Sequence, residues 1–386
     1  MGIGKGAFLR RLTSRIQMRS VEVGEKLDGT SPPSVFIGKA GYPRVYVGPM
    51  ITPEAGDTSV LDTPEAWIPQ NRSQEEIIRF RLDLVRGKHR VGIKDLDNRL
   101  VQKLQEISLA EAPVDSEAQF RYSPKGFAFN EEHMPFGPSA PIERFDIGNV
   151  RWERHLEKAH YDTDLKAAEA VAGLYRDGVL FSQIQKAFST GTMGAGKNRR
   201  LVPTRWSITA VDSTLADHLY GEVIYNEIIG SYMVHEFSSL NNRYVVILTP
   251  TPWQYEWIEA FLNVMGEGFA IFGDHELFRP KKGYSCVGGC YYSCRFAVLE
   301  ALSRMKRQAG AIILREAYEG YVPLGVFNVR ENVRNALQQP PIEFDSIGGA
   351  LNHVSSKLRL PLSRFLEESV VLRDMLGHRQ TTLAGF

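Results

Sequence analysis

The chain has 386 residues, a net charge of +1, 43% apolar residues and 24% charged residues. This is the composition of an ordinary globular protein with material for two or three domains, and it excludes a polycation, so nucleic acid has to bind through local basic patches. The sequence has no apolar run of about 18 residues and no apolar signal segment, so we expect no contact with a membrane. Its three cysteines do not suggest a disulfide framework, so we expect a cytoplasmic protein.

Helix signals recur along the first 230 residues. Residues 7–19 carry an apolar residue at every fourth position and four arginines, which predicts a helix with one apolar stripe and a basic flank. Ser73 and Glu76 form the capping box of a helix that Gly87 is expected to end. Further helices are predicted at 96–109, at 163–178 with Thr163 as its cap, and from Asp212 as a cap to about residue 225.

Strand signals lie between these helices. Residues 34–50, SVFIGKAGYPRVYVGPM, predict two short strands around a turn, and residues 231–250 predict a hairpin around Asn241 and Asn242. FAIFGDHELF, residues 269–278, predicts another strand. Residues 255–265 are predicted to be helical, and residues 111–150 are predicted to form a long irregular region.

A domain boundary is predicted near Pro280. Beyond it the sequence predicts a strand at AIILREAY and helices at 290–307 and near 329–337, 346–357 and 363–376. The fold class is therefore α/β (mixed α+β). We expect a larger mixed N-terminal domain at residues 1–279, a smaller, mainly helical C-terminal domain at 280–377, and a tail at 378–386.

The tail, HRQTTLAGF, follows a predicted helix break at Gly377. Gln380, Leu383 and Phe386 are spaced three apart, so one tight helical turn places them on one side, where they can order against a partner. The pattern resembles the PCNA-interacting peptide, the clamp-binding box of replication and repair proteins, although Gly385 replaces the first of its two aromatic residues. The alternative is a tail that folds back and buries Leu383 and Phe386 on its own domain.

The segment GTMGAGKN, residues 191–198, has the glycine and lysine spacing of a phosphate-binding loop. Asn198 stands where that loop needs Ser or Thr, and Pro203 argues against the helix that should follow. The nearby cations nevertheless suit phosphate contact by nucleic acid or a nucleotide, with Trp206 available for stacking: Lys197, Arg199, Arg200 and Arg205. The alternative is a solvated basic loop with Trp206 in the core. The basic helix at 7–19 is either a second contact or a docked surface helix.

Two further clusters are candidates for metal binding. Cys286, Cys290 and Cys294 are spaced four apart, which is one thiol short of a zinc site, and they are alternatively small buried hydrophobes. The GDHE segment and more distant residues supply carboxylates and imidazoles for Mg²⁺ or Mn²⁺: Asp274, His275, Glu276, His235, Asp212 and His353. The alternative for GDHE is an exposed loop or a helix cap. No catalytic residue is assigned.

Four segments resemble the Nre family of archaeal DNA repair proteins: SVFIGKAGYPRVYVGPM, RRLVPTRWSITAVDSTL, GGCYYSCRFAVLEAL and EAYEGYVPLGVFNVRENVRNAL. The resemblance implies a DNA repair role in partnership with the sliding clamp PCNA, and no defined reaction. Because no cysteine precedes residue 286, the four-cysteine zinc finger of some members is absent, as in the A-type members. A metal-dependent nuclease or phosphoesterase and a thiol-metal protein are the alternatives.

Overall fold

The computed structural model describes residues 4–130 and 133–383, with side chains up to residue 377. The chain forms two compact units. The N-terminal unit comprises residues 16–215 and 323–327, and the C-terminal unit comprises residues 4–15, 216–322 and the chain from residue 328.

The helices and strands follow one another in a mixed order. As far as residue 189 they are α1 (Lys5–Thr13), β1 (Lys26–Ser31), β2 (Val35–Ile37), β3 (Arg44–Ile51), α2 (Pro64–Trp67), α3 (Gln74–Leu82), β4 (Val85–Gly92), α4 (Arg99–Leu109), β5 (Val114–Phe120), β6 (Ser139–Ile147), α5 (Arg154–Tyr161), α6 (Ala167–Arg176) and α7 (Phe181–Ser189). Then come α8 (Thr204–Val223), β7 (Tyr232–Ser239), β8 (Asn242–Thr249), β9 (Gln254–Leu262), β10 (Phe269–Leu277), α9 (Gly289–Met305), β11 (Gly310–Ala317), α10 (Phe327–Gln338), β12 (Ile342–Phe344), α11 (Ile347–Lys357), α12 (Leu362–Glu368) and α13 (Val371–Leu383).

The N-terminal unit is built on a six-stranded sheet in the order β1-β5-β6-β4-β3-β2. Its strand pairs are antiparallel except for β4 with β6. Helix α4 begins at Asn98, whose side chain accepts hydrogen bonds from two backbone N–H groups of the first turn. Its buried residues Val101, Leu104 and Ile107 belong to the hydrophobic core that the strands line, as expected for an amphipathic helix on a sheet.

The C-terminal unit has a second six-stranded sheet in the order β10-β9-β11-β8-β7-β12, with β9 and β11 parallel. Residues of α11, α12 and α13 share a hydrophobic core with residues of these strands. Helix α1 also belongs to this unit, because its buried Phe8 and Leu12 pack in one cluster with Phe261 and Tyr321. The buried Lys5 forms an ion pair with Glu259 and donates a hydrogen bond of 2.8 Å to the carbonyl of Val287.

The mixed α/β class is confirmed, with a larger N-terminal part and a mainly helical region beyond Pro280. The hairpins at 34–50 and 231–250 form as predicted, the second turning at Leu240 and Asn241, both with positive φ. The Ser73–Glu76 capping box and the strand at 269–277 are also present. Strands β10 and β11 lie on either side of Pro280 in one sheet, so a boundary there stays a prediction about sequence domains.

The predicted helix at 255–265 is wrong, because these residues form β9. This strand lies between β10 and β11 and is buried at almost every position. A strand covered on both faces has no polar alternation, so its sequence does not show the period of two that marks a half-exposed strand.

Several predicted boundaries are also wrong. Asp212 lies inside α8, which begins directly after Pro203, and Thr163 lies between α5 and α6. The region at 111–150 contains the regular strands β5 and β6. Gly87 does not end a helix but lies in β4, where a Cβ on the facing Gly48 would come within 2.0 Å of the Gly87 carbonyl oxygen. These glycines therefore allow two strands to approach closely.

Helix α13 continues through Gly377 to Leu383, so the predicted break at Gly377 is wrong. Its first turn is held in the core by the buried Val371 and Leu372. The carboxylate of Glu256 also accepts N–H hydrogen bonds from Val370 and Val371, at 2.6 and 3.2 Å. A glycine costs a helix only about 1 kcal/mol, which does not end a helix fixed in this way. Within the described residues, the structure has no helix with the length and apolarity needed to cross a bilayer.

Candidate nucleic-acid interface

The centre of the N-terminal unit's sheet presents a row of cations. Side chains alternate between the two faces of a strand, so Arg86 and Lys88 of β4 lie on one face. Tyr46 of β3 shares this face, because it pairs with Arg90, two residues beyond Lys88. The strand period thus places two cations and an aromatic ring side by side.

Arg86 is held between two phenylalanine rings. Its guanidinium carbon lies 4.3 Å from the ring centre of Phe36 and 4.4 Å from that of Phe136. The residue is only 8% exposed, and its Nε has no hydrogen-bond partner among the described residues. Burial and the nearby Arg81 lower the pKa of Arg86 to about 10, so it stays charged at neutral pH. Cation–π contacts thus fix the guanidinium without using its hydrogen-bond donors.

These residues line a pocket with a volume of about 570 Å³, which we call the basic cleft. Its lining includes Phe36, Lys39, Tyr46, Arg86, Lys88, Tyr122, His133, Phe136, Thr204 and Arg205. None of the described lining residues is an Asp or Glu; Glu131 and Glu132 lie outside the described residues. A surface with four cations and no described carboxylate attracts anions.

The cations of the basic cleft repel one another. Burial, and then the charge of Arg205, lower the pKa of Lys39. Burial and the charge of Arg86 do the same to Lys88. Burial also lowers the pKa of His133 to about 4, so its ring is neutral at physiological pH. An anion in the cleft would relieve this repulsion.

Aromatic rings are exposed at the same surface. Tyr46 and Tyr122 line the cleft and are 43% and 52% exposed. Trp206, next to Arg205 in α8, is 42% exposed, and its ring centre lies 5.0 Å from that of Tyr42. The alternative that places Trp206 in the core is therefore wrong. Exposed rings beside cations are the arrangement on which unpaired bases stack.

The first turn of α8 and a smaller chamber complete the cleft. Thr204 and Arg205 start this 20-residue helix, whose N-terminal end carries the positive end of its dipole. A chamber of about 50 Å³ shares His133, Phe136 and Thr204 with the cleft. The chamber is lined by Asp62, which forms ion pairs with both Arg81 and Lys186, so these three groups are engaged with one another.

The four predicted phosphate-binding cations lie in different surroundings. Arg205 lines the basic cleft, while Lys197 and Arg200 are exposed on the preceding loop. Arg199 is engaged with its own unit, because its guanidinium donates to the carbonyls of Gly194 and Asp162 at 2.7 and 2.8 Å. Only Arg205 of this set lines the cleft.

The glycine-rich loop has a structural explanation. Helix α7 precedes the loop, where a phosphate-binding loop would follow a strand. Gly191 has a φ of +71°, and a Cβ there would lie 2.6 Å from the carbonyl oxygen of Arg200. Glycine is required for this tight turn rather than for phosphate.

The acidic candidates take part in hydrogen-bond networks of the C-terminal unit. Asp274 accepts from Lys281 Nζ at 2.5 Å and from Ser285 Oγ at 2.7 Å. Although burial opposes it, these bonds lower the pKa of Asp274. Glu276 accepts from Arg295 Nε at 2.7 Å and from Trp253 Nε1 at 2.8 Å. These carboxylates are therefore occupied by protein groups.

The remaining metal candidates are dispersed. His235 Nδ1 lies 2.9 Å from the carbonyl oxygen of Gln339, and His353 Nε2 lies 2.7 Å from Glu236. Cys290 and Cys294 are buried in α9, and the exposed Cys286 precedes this helix. In the part of the chain that the structure describes, no three His, Cys, Asp or Glu residues are grouped closely enough for a metal ion.

The clamp-binding residues lie at the end of α13. Gln380 and Leu383 are in its helical backbone, but their side chains and the whole of Phe386 lie outside the described residues. Helix α1 ends at Thr13, before the predicted end at residue 19. Its Phe8 and Leu12 pack inward, while Arg10, Arg11 and, beyond the helix, Arg15 are exposed and stay a second candidate contact.

Sequence reasoning missed Arg86, Lys88, Tyr46 and Tyr122. In VRGKHRVG, residues 85–92, a cation occurs at every second position, which is the period of a strand. This alternation predicts a strand that carries Arg86 and Lys88. The predicted helix from Ser73 to Gly87 overlaps the start of that strand and therefore hid the signal. No local signal connects these strands with Tyr122 or Arg205.

Known proteins are similar to the chain along most of its length. The archaeal Nre N-terminal family model matches residues 2–264, and the archaeal Nre C-terminal model matches residues 276–386. "DNA repair protein NreB" of Archaeoglobus fulgidus is 40% identical over 373 residues, which cover 95% of this chain and 93% of that protein. "DNA repair protein NreA" of the same organism is 34% identical, with 96% and 92% covered. "DNA repair protein NreA" of Haloferax volcanii is 30% identical, with 90% and 87% covered.

No solved structure matches the chain. Relatives named NreA and NreB both match, so assignment to the A-type stays a prediction. The two family models span both the N-terminal and the C-terminal parts of the sequence. The chain belongs to the archaeal Nre family.

Proposed function

We propose that this protein acts in DNA damage repair, that the sliding clamp PCNA recruits it through Gln380, Leu383 and Phe386, and that its basic cleft contacts nucleic acid or a nucleotide. The repair role is supported by the relatives, which are named DNA repair proteins. Nucleic-acid contact is carried by one observation: four cations and two exposed tyrosines share a concave surface without a described carboxylate.

The cleft has the chemistry that an unpaired nucleotide requires. Cations bind phosphate oxygens and fix the position of the strand, and tyrosine rings stack on bases of any sequence. Duplex DNA hides the faces of its bases, so Tyr46 and Tyr122 can stack only on unpaired ones. We therefore expect the body of the protein to prefer single-stranded or frayed DNA over intact duplex.

Clamp recruitment is supported by the residues of the tail and by how α13 is held. A short segment with a Gln and two apolar anchors can bind a pocket on a partner, and a few such anchors usually carry most of the binding energy. Glu256 and the core contacts of Val371 and Leu372 fix the start of α13, the helix whose backbone includes Gln380 and Leu383.

Calorimetry with an archaeal sliding clamp tests recruitment. We expect the full chain to bind, and both Leu383→Ala/Phe386→Ala and a chain shortened by residues 379–386 to lose binding. The matched control is Thr381→Ala/Thr382→Ala, which changes two residues of the same segment and spares the three anchors. Unchanged affinity of the shortened chain would remove the recruitment proposal.

Fluorescence anisotropy with a labelled single-stranded oligonucleotide tests the cleft. We expect Lys39→Ala/Lys88→Met to weaken binding because two phosphate contacts are lost. Lys166→Ala is the matched control, since this exposed lysine belongs to the same unit and does not line the cleft. Equal affinities of wild type and the double variant would refute contact through this surface.

A further inference from the structure

The shape of the basic cleft limits what can bind there. Its volume of about 570 Å³ lies within the usual range for small-ligand pockets, about 300–1,000 Å³. Strands β2, β3 and β4, the described residues Tyr122 and His133, and the first turn of α8 surround it. Such a pocket suits one or two nucleotides rather than a continuous strand that passes through a groove.

Arg86 supplies a prepared donor in this pocket. Its two ring contacts hold the guanidinium plane, and Nε has no partner among the described residues although the side chain is more than nine-tenths buried. A buried donor without a partner is costly, and an oxygen of an anionic ligand would satisfy it. Arginine binds phosphate through two parallel hydrogen bonds, which requires this kind of fixed plane.

The number of cations indicates the charge of the ligand. Lys39 and Lys88 line the same pocket as Arg86, so these three positive charges converge in a volume that holds one or two nucleotides. A phosphodiester carries one negative charge, whereas a phosphate monoester carries nearly two at neutral pH. Three cations, with no carboxylate among the described lining residues, therefore favour a monoester over a linkage in the middle of a strand.

We infer that the basic cleft binds a nucleotide that bears a phosphate monoester, either the phosphorylated end of a DNA strand or a free nucleoside monophosphate. Arg86 receives the phosphate with Lys39 and Lys88, and Tyr46 or Tyr122 stacks on the base. This inference rests on the proposed contact between the cleft and nucleic acid, and it specifies which part of a nucleic acid enters.

Binding by the full chain to matched ligands tests the inference. The ligands are one oligonucleotide with a 5′-phosphate, a 3′-phosphate or two hydroxyl ends, a circular single strand without ends, and a free nucleoside monophosphate with its nucleoside. We expect at least one phosphorylated end to bind about tenfold or more tightly than the hydroxyl-ended strand, because charge-assisted hydrogen bonds are gained. We also expect the monophosphate, and not the nucleoside, to raise the melting temperature.

Two variants connect this preference to the cleft. Arg86→Gln should bring the affinities for phosphorylated and hydroxyl ends close together. Because Arg86 is buried and its loss can disturb the fold, Lys88→Met at a half-buried position is the second variant, and it should reduce the preference without lowering the melting temperature. Lys166→Ala should leave the preference unchanged.

The outcomes separate this inference from the proposed function. Equal binding of circular, hydroxyl-ended and phosphorylated strands would overturn the monoester inference and leave nucleic-acid contact intact. Stabilisation by the free monophosphate, without binding of any oligonucleotide, would support the monoester and assign the free nucleotide as its source. Absence of binding to every ligand would overturn both the inference and the contact proposed for the cleft, while clamp binding is measured independently.

Discussion

Salt dependence provides a quantitative test of the basic cleft. Each phosphate that a protein neutralises on a single strand contributes about −0.7 to the slope of log K against log salt concentration. The cleft offers four cations, Lys39, Arg86, Lys88 and Arg205. Because the cleft holds one or two nucleotides, its cations neutralise about two phosphates, which predicts a slope of about −1.4. Raising the salt concentration from about 50 to 200 mM then lowers the affinity about sevenfold.

Removal of one cation should change this slope by a fixed amount. For Lys88→Met one of these two phosphate contacts is lost, so we expect a slope of about −0.7, which corresponds to an affinity loss of about threefold over the same salt range. Fluorescence anisotropy with a 5′-phosphorylated single strand at five or more KCl concentrations measures both slopes. Lys88 is suitable because it is half-buried in β4 and has no ion pair with a described acid.

Two results would refute this reasoning. A slope near zero would mean that the cleft cations do not neutralise phosphate. A steep slope that Lys88→Met leaves unchanged would place the contact on another surface. Arg10→Ala/Arg11→Ala distinguishes the second case, because these exposed arginines of α1 lie outside the cleft and should not affect the slope if the cleft is the site.

Three further predictions concern stability. Asp62→Asn leaves the buried Arg81 without its ionic partner and should reduce the free energy of unfolding by about 3–5 kcal/mol in urea titrations, whereas a loss below about 1 kcal/mol would contradict this role. Gly48→Ala places a Cβ against the carbonyl of Gly87, so it should destabilise the protein by about 1–3 kcal/mol and weaken oligonucleotide binding, since β4 carries Arg86 and Lys88; normal binding would show that the strands adjust. Burial raises the pKa of Glu256 in the folded protein. The stability that this carboxyl contributes is therefore complete below its pKa in the unfolded chain, about 4.3. This stability is lost as pH rises through the pKa in the folded state. Glu256→Gln should therefore match wild type in melting temperature near pH 4 and exceed it increasingly towards pH 7, and a constant difference would contradict the shift.

Local signals predicted the parts of the fold that neighbouring residues determine. The Ser73–Glu76 capping box and the turn at Asn241 depend on hydrogen bonds and backbone angles within a few residues, so the sequence shows them directly. The prediction for β9 is wrong because the neighbouring strands β10 and β11 create its buried environment. The residues of β9 alone do not show this burial.

The candidate site was predictable only where its residues cluster in the sequence. Arg205 was found because other cations surround it between residues 197 and 205. Arg86 and Tyr122 line the same cleft as Arg205 only because of the order of strands in the sheet. That order depends on the long-range pairing of β4 with β3 and β6. The acidic GDHE segment was misleading for the same reason, because Arg295 and Ser285, which occupy its carboxylates, follow later in the chain.

The burial of Lys5 has a consequence for biosynthesis. Helix α1 is synthesised long before the carbonyl that its lysine contacts, because Val287 follows 282 residues later. This helix therefore stays unassembled until the chain has been made as far as that residue. A fragment that starts after residue 15 would leave Glu259 without Lys5, one of the two basic residues that pair with it in the described part of the chain. A fragment that ends before residue 259 would in turn leave Lys5 without this carboxylate.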